Sequence, residues 1–260
     1  MINVLVDSHC HLDLAPFSAD LALVIRRAQA AGVTRLVVPA VSAKRWPALL
    51  ALAEQYAPIY IALGLHPYFQ AEHSEQDLLL LESLLAQRHP KVVAVGECGL
   101  DWVIADADRA KQQTLLEQQW LLAEKFELPV ILHVRKAHPE LLSLLKAKPA
   151  QKGAVIHAFS GSLQLANDYI QHGCLLGIGG VITYPRAAKT RAAVAELPLS
   201  KLLLETDAPD MPLAGFQGQR NEPARVVQVA ESLAALKQLP LADIYSQTGA
   251  NATQLFGFKP

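Results

Sequence analysis

The chain has 260 residues, 52% of them hydrophobic and 18% charged, which supplies a full core and argues against disorder. Its formal net charge of -1 lacks the basic field of a tight duplex-DNA binder, so a polyanionic substrate has to be held by local groups. The opening residues carry no basic leader with a small-residue cleavage site, no apolar run reaches membrane-spanning length, and Cys10, Cys98 and Cys174 form no Cys-x-x-Cys pair. The expectation is a cytoplasmic protein with reduced structural thiols, no membrane association, no obligate protein partner and a monomeric state.

In chain order, runs rich in Val, Ile and Leu fall at residues 3–6, 35–38, 59–63, 92–95, 130–132, 154–156, 175–178 and 201–204. Such near-continuous apolar runs predict strands buried on both faces of a parallel sheet. The stretches between them carry helical periodicity. Leu21, Val24, Ile25 and Ala28 share one face ahead of Gly32 at a C-cap position, and Leu115, Trp120, Leu122 and Phe126 give a looser stripe. Eight strand-then-helix units in a chain of this length predict a (β/α)8 barrel, one domain over 1–260. An open doubly wound sheet would share the alternation, but no Gly-rich dinucleotide fingerprint follows the first run. The Pro-rich stretch 208–223 reads as a long loop over the barrel mouth.

In such a barrel the chemistry comes from the C-terminal ends of the strands. The first run ends in Asp7-Ser8-His9-Cys10-His11, the fourth in Gly96-Glu97-Cys98-Gly99-Leu100-Asp101, the fifth in His133-Val134-Arg135, the sixth in His157-Ala158-Phe159-Ser160-Gly161 and the eighth in Glu205-Thr206-Asp207-Ala208-Pro209. Alternate residues of a strand share a side, so His9 and His11 can grip one ion while Cys10 faces the wall. Four His and two carboxylates, His9, His11, Glu97, His133, His157 and Asp207, complete two borderline divalent sites with positions left for water and substrate. Glu97 is the candidate bridge, and Asp207 the candidate both to ligate and to accept a proton from a metal-activated water. A single His or Asp at a strand end is commonly a hydrogen-bonded structural group; five strands agreeing weakens that reading. Glu205 competes with Asp207 as a ligand, and His73, His89, His138 and His172 read as ordinary surface groups.

These motifs resemble the TatD family of metal-dependent hydrolases, the TatD-type deoxyribonucleases. Asp-Ser-His-Cys-His-Leu-Asp at 7–13, Gly-Leu-His-Pro at 64–67, Gly-Glu-Cys-Gly-Leu-Asp at 96–101, His-Val-Arg at 133–135, His-Ala-Phe-Ser-Gly at 157–161 and Leu-Glu-Thr-Asp-Ala-Pro at 204–209 stand in family order. Arg220-Asn221-Glu222-Pro223 is similar to the family's Arg-Asn-x-Pro segment, and Asn251 with Leu255-Phe256 to its closing helix. Residues 178–186 and 210–213 look closest to the bacterial YjjV branch. The resemblance implies an amidohydrolase-like barrel and a divalent-metal phosphodiesterase that uses the same six ligands and two cations: zinc, manganese or magnesium. Cys98 and Trp102 depart from the family's usual Ile and Tyr; either could shape the pocket wall, and Cys98 adds a candidate oxidation site.

A phosphodiester needs donors for its non-bridging oxygens, and His66, Arg135 and Arg220 are the candidates. Arg220 is equally readable as a solvated loop charge, and His66 before Pro67 as a cap. Trp102 and Tyr184 could stack on a base or simply pack. The leading reading is hydrolysis of DNA ends or short single strands. A second keeps the metals and changes the bond to a small phosphoester, amide, ester or aminoacyl-RNA. A third, a metal-stabilised binding protein, is disfavoured because structural zinc sites are closed and thiolate-rich.

Overall fold

The computed structural model describes residues 4–258, so Asn3 of the first expected strand lies outside the described residues. Eight parallel strands, paired in sequence order, alternate with helices: β1 Leu5–Asp7, β2 Val33–Pro39, β3 Ile59–Leu63, β4 Val92–Asp101, β5 Val130–Arg135, β6 Ala154–Ile156, β7 Cys174–Ile178 and β8 Leu202–Leu204. The last strand returns to the first where Ser8 N donates to Leu204 O at 2.9 Å. The helices are α1 Leu21–Ala30, α2 Trp46–Gln55, α3 Glu75–Ala86, α4 Arg109–Phe126, α5 His138–Ala147, α6 Leu163–Gln171, α7 Ala188–Glu196, α8 Val226–Lys237 and α9 Leu241–Phe256. This is the expected (β/α)8 barrel.

Two apolar layers hold it. One lies between strands and helices, where Leu36, Ile61, Leu132 and Ile156 meet Ile25, Leu49, Trp120 and Leu141. The other runs along the inside, with Val6, Val37, Ala62, Ile131, Val155 and Leu203, and is joined by Phe256 and Phe258. The separation follows from period 2 in a strand, where neighbours face opposite sides and both sides are apolar. Asn251 ties α9 to the end of the sheet by donating to Leu199 O at 2.9 Å and Leu202 O at 2.8 Å.

The fourth strand is the main departure from the sequence reading. It continues to Asp101 instead of stopping at Val95, and its register with β5 shifts between Val95 and Cys98. Gly99, at φ +151°, makes the continuation possible: a Cβ there would stand 1.9 Å from His133 O. The loop after β8 runs over the mouth as expected. Asn221 shapes it, donating to Thr206 O at 2.9 Å and Asp210 O at 3.0 Å.

Candidate metal centre

Inward parity carries the apolar lining straight into the polar rim. His133 stands two residues beyond Ile131 and His157 two beyond Val155, while Glu205 and Asp207 follow Leu203 at the same interval. Glu97 reaches the centre by another device, because the register shift re-aims the strand at that point. His9 and His11 lie just past β1, where His11 N donates to Ala208 O at 2.6 Å and Asp207 N to His9 O at 2.9 Å. First strand end and last strand end are thereby stitched together.

The side chains converge on Glu97, whose two oxygens face different partners. Oε2 is 3.0 Å from His9 Nε2 and 3.5 Å from His11 Nε2, and both nitrogens lie 3.6 Å from Asp207 Oδ1. The two nitrogens are 3.2 Å apart. Four ligand atoms around an ion at about 2.0–2.1 Å in a tetrahedron are separated by roughly 3.4 Å, so this group has the dimensions of a four-ligand shell. Oε1 is 3.0 Å from His133 Nδ1 and 2.9 Å from His157 Nε2, themselves 3.3 Å apart, which makes a second shell of three. Among the described residues Glu97 Oε2 has no hydrogen-bond donor although it is fully buried, a condition that a cation relieves. The donor set, neutral imidazole with carboxylate, suits a borderline divalent ion.

The rings are oriented from behind. His11 Nδ1 lies 3.2 Å from Pro39 O and His133 Nε2 3.0 Å from Asp101 Oδ2; donating there leaves the other nitrogen of each ring with its lone pair toward Glu97. Glu205 accepts from Ala158 N at 2.5 Å and stands 3.8 Å from His157 Nδ1. Room for it comes from Gly177, where a Cβ would lie 2.1 Å from Glu205 Oε2. Glu205 is thus placed behind the rings, while Asp207 faces both His9 and His11. Asp7 accepts from Thr206 Oγ1 at 2.6 Å and Thr206 N at 2.9 Å, bracing the segment that carries Asp207. Asp207 itself has φ +57°, and Lys136 and Ala158, next in chain to Arg135 and His157, have +58° and +48°; non-glycine residues in this region concentrate at functional sites.

Burial and mutual charge tune the group. Burial alone would raise Glu97, but the charge of His157, the largest opposing influence, holds it well below the usual carboxylate range. Burial, then the His157 charge, keeps His9 well below the ordinary imidazole value. Burial opposes protonation of His11 and His157 too, yet bonding and charge from Glu97 push them up to about 9 and about 10. Burial pushes Asp7 up to about 7 and Glu205 to about 8.

His66 follows β3 and does two things. Its Nδ1 accepts from Tyr68 N at 3.0 Å, so in the neutral ring Nε2 bears the hydrogen and donates to Glu97 Oε1 at 3.1 Å. Arg135 is 58% exposed, 3.6 Å from Asp101, and lines the open space above the centre. Arg220 lies elsewhere. It grips Asp20 with two bonds of 2.7 Å, donates to Pro16 O and stacks over Phe17, clamping the mouth loop to the start of α1. Cys98 is fully buried with Sγ toward Ile131 O, and burial raises its thiol, so it neither forms pocket wall nor offers a thiolate for oxidation. Trp102 is half-buried beneath Arg109, and Tyr184 donates to Pro212 O. His73 is buried rather than on the surface, and its Nε2 lies 2.9 Å from His66 O, which it props. Tyr68 and Phe69, at the mouth, had no signal of their own beyond following Gly-Leu-His-Pro.

A family model described as TatD related DNase matches residues 6–257. The chain belongs to the TatD family. A protein of Escherichia coli strain K12 described as the uncharacterized metal-dependent hydrolase YjjV is 48% identical over 256 residues, spanning 98% of this chain and 99% of that one. The crystal structure of E. coli YjjV, a TatD homolog, superposes with a TM-score of 0.96 over 100% of both chains. A protein of Erwinia tasmaniensis described as the 3'-5' ssDNA/RNA exonuclease TatD is 33% identical over 258 residues, 96% of this chain and 98% of that one. As a TatD-family member the chain is a metal-dependent hydrolase, and clusters able to hold a metal lie at its barrel mouth.

Proposed function

We propose that this TatD-family hydrolase trims the ends of single-stranded nucleic acid by phosphodiester hydrolysis over the Glu97 cluster. The observation that carries the reading is the division of Glu97 between two ligand groups, His9, His11 and Asp207 on Oε2 and His133 and His157 on Oε1, beneath an open cavity lined by Arg135. Those residues would hold two divalent cations. When bound, such a pair would supply Lewis-acid charge to the entering and leaving oxygens of an in-line displacement.

The chain's own groups do the rest. Arg135 binds a non-bridging phosphate oxygen, and His66, its Nδ1 held by Tyr68 N, donates its Nε2–H to Glu97 Oε1 and so holds that carboxylate between the two ligand groups. Asp207 presents Oδ1 to the two histidines, which leaves Oδ2 to take the proton of the attacking water. Water adds at phosphorus, the bond to one ester oxygen breaks, and the proton taken at Oδ2 balances the one that oxygen acquires. The sequence relative described as a 3'-5' ssDNA/RNA exonuclease supports this reading and its polarity.

The test uses purified protein stripped of metal, reloaded with manganese, magnesium or zinc, and given 3′- and 5′-labelled single-stranded oligonucleotides. Stepwise shortening from the 3′ end that disappears in Asp207→Asn is expected. Intact nucleic acid with every metal would sink the reading and turn the search to small phosphoesters and acyl substrates.

A further inference from the structure

Two lobes of open space adjoin at His133, Arg135, His157 and Asp207, and their walls differ. One, of about 390 Å3, is bounded by Leu14, Val41, Tyr68 and Phe69, with the acids Asp101 and Asp210 at its edge. The other, of about 640 Å3, is bounded by Val103, Lys136, His138 and Met211. His133, Arg135, His157 and Asp207 line both, whereas Glu97, His11 and His66 line the smaller one alone, so the two spaces adjoin along one edge of the centre. A phosphodiester has a nucleoside on each side, and a site that cleaves one needs space on both sides of the phosphorus.

The two spaces are not interchangeable. Tyr68 is 63% exposed, yet its backbone is fixed by the bond to His66 Nδ1 and its ring meets Phe69 at 5.2 Å. A large aromatic side chain held in place and left open to solvent is a platform for any base, since each has a π-face. The acids Asp101 and Asp210 in the same lobe disfavour further phosphates, whereas Lys136, which lines the larger lobe alone, favours them. A 3′-terminal nucleoside carries no phosphate beyond the scissile one, and a lobe of this size is at the small end for a ligand pocket.

Resting on the exonuclease reading above, we infer that the smaller lobe receives the 3′-terminal nucleoside with its base stacked on Tyr68, and that the remaining strand leaves across Lys136. Neither part of the mouth reads sequence, because stacking and backbone charge do not distinguish bases.

The test compares a 5′-labelled single strand ending in a 3′-thymidine with one ending in a 3′ abasic tetrahydrofuran unit. In the wild type kcat/KM for removing the last unit is expected to favour the base-bearing strand about tenfold. That ratio falls to near unity in Tyr68→Ala and is retained in Tyr68→Phe, which keeps the ring. Trimming with a ratio that Tyr68→Ala leaves unchanged, or a ratio of unity in the wild type, overturns the inference alone. A wild type that trims neither strand with any metal overturns the nuclease reading and the inference together.

Discussion

On one side of Glu97, His9 is 1% exposed, packed 4.0 Å from the His157 ring, and fastened from behind by the pairing of Asp7 with Thr206, while His11 and Asp207 beside it reach the mouth. On the other side His133 is 11% exposed, leans on Asp101, and opens to Arg135 and to both lobes of the mouth. The first side offers four ligand atoms and the second three. A filled shell holds an ion, whereas an incomplete one keeps a place for water or substrate. On the proposed reading, the four-ligand half anchors an ion while its Asp207 also takes the water's proton, and the three-ligand half keeps a place for water or substrate.

Removing the residue common to both halves is the most severe way to break this contrast. Glu97→Gln is expected to lower hydrolysis by at least about a thousandfold and to reduce bound metal, read by elemental analysis, in both halves. Asp101→Asn separates them: it frees the His133 ring and is expected to cost roughly 10–100-fold in activity or metal affinity at the three-ligand half, with the four-ligand half still loaded. Loss of both ions in that variant would show that the halves do not act separately. Gly177→Ala attacks from behind, where the new Cβ would stand 2.1 Å from Glu205 Oε2. A loss of about 1–3 kcal/mol of stability by denaturant unfolding is expected, since overpacking a tight interior forces its neighbours to move.

The pH dependence sharpens the same comparison. Asp7 and Glu205 rise on folding from 3.8 and 4.5 to about 7 and about 8, so their stabilising effect is complete below the unfolded values and lost as pH climbs through the folded ones. His11 and His157 rise to about 9 and about 10, and theirs is lost above 6.5 in the same direction. Metal-free protein is therefore expected to lose stability from pH 6.5 to 9, by at most roughly 1.4 kcal/mol per pH unit for each group titrating, read as a falling Tm. Metal replaces those protons, so the Tm gained on adding zinc should grow over that interval. A metal-free Tm that is flat or rising would contradict the assignment. The mildest change is Arg220→Ala, expected to cost about 1 kcal/mol or less in stability and to leave hydrolysis within a few-fold, because a half-exposed ion pair contributes little.

Much of this was visible in the residues. Strands β3 and β6 fall where the apolar runs predict, because a strand buried on both sides must be apolar throughout, and His133, His157 and Asp207 meet because the same period carries the lining into the rim. What escaped the reading was set by contacts distant in sequence. β4 runs on through Gly96 and Gly99, residues that ordinarily end a strand, because only they tolerate the approach of β5. Arg220 was readable as a phosphate donor until its partner Asp20 was seen beside it, and His73 looked like a surface group until His66 O filled the space above it. Tyr68 belongs to no catalytic pattern; only its position over an open lobe gives it meaning.

The stitch between the two ends of the barrel bears on how the protein is made. Asp7 bonds Thr206 across 199 positions, and His9 meets Asp207 only when the eighth strand lies against the first. During synthesis the chain emerges from its N-terminus and early segments begin to fold before later ones exist. The nascent polypeptide can therefore display the His9–His11 pair but not the enclosing carboxylate, and the ribosome releases a competent centre only after nearly the whole barrel has been translated.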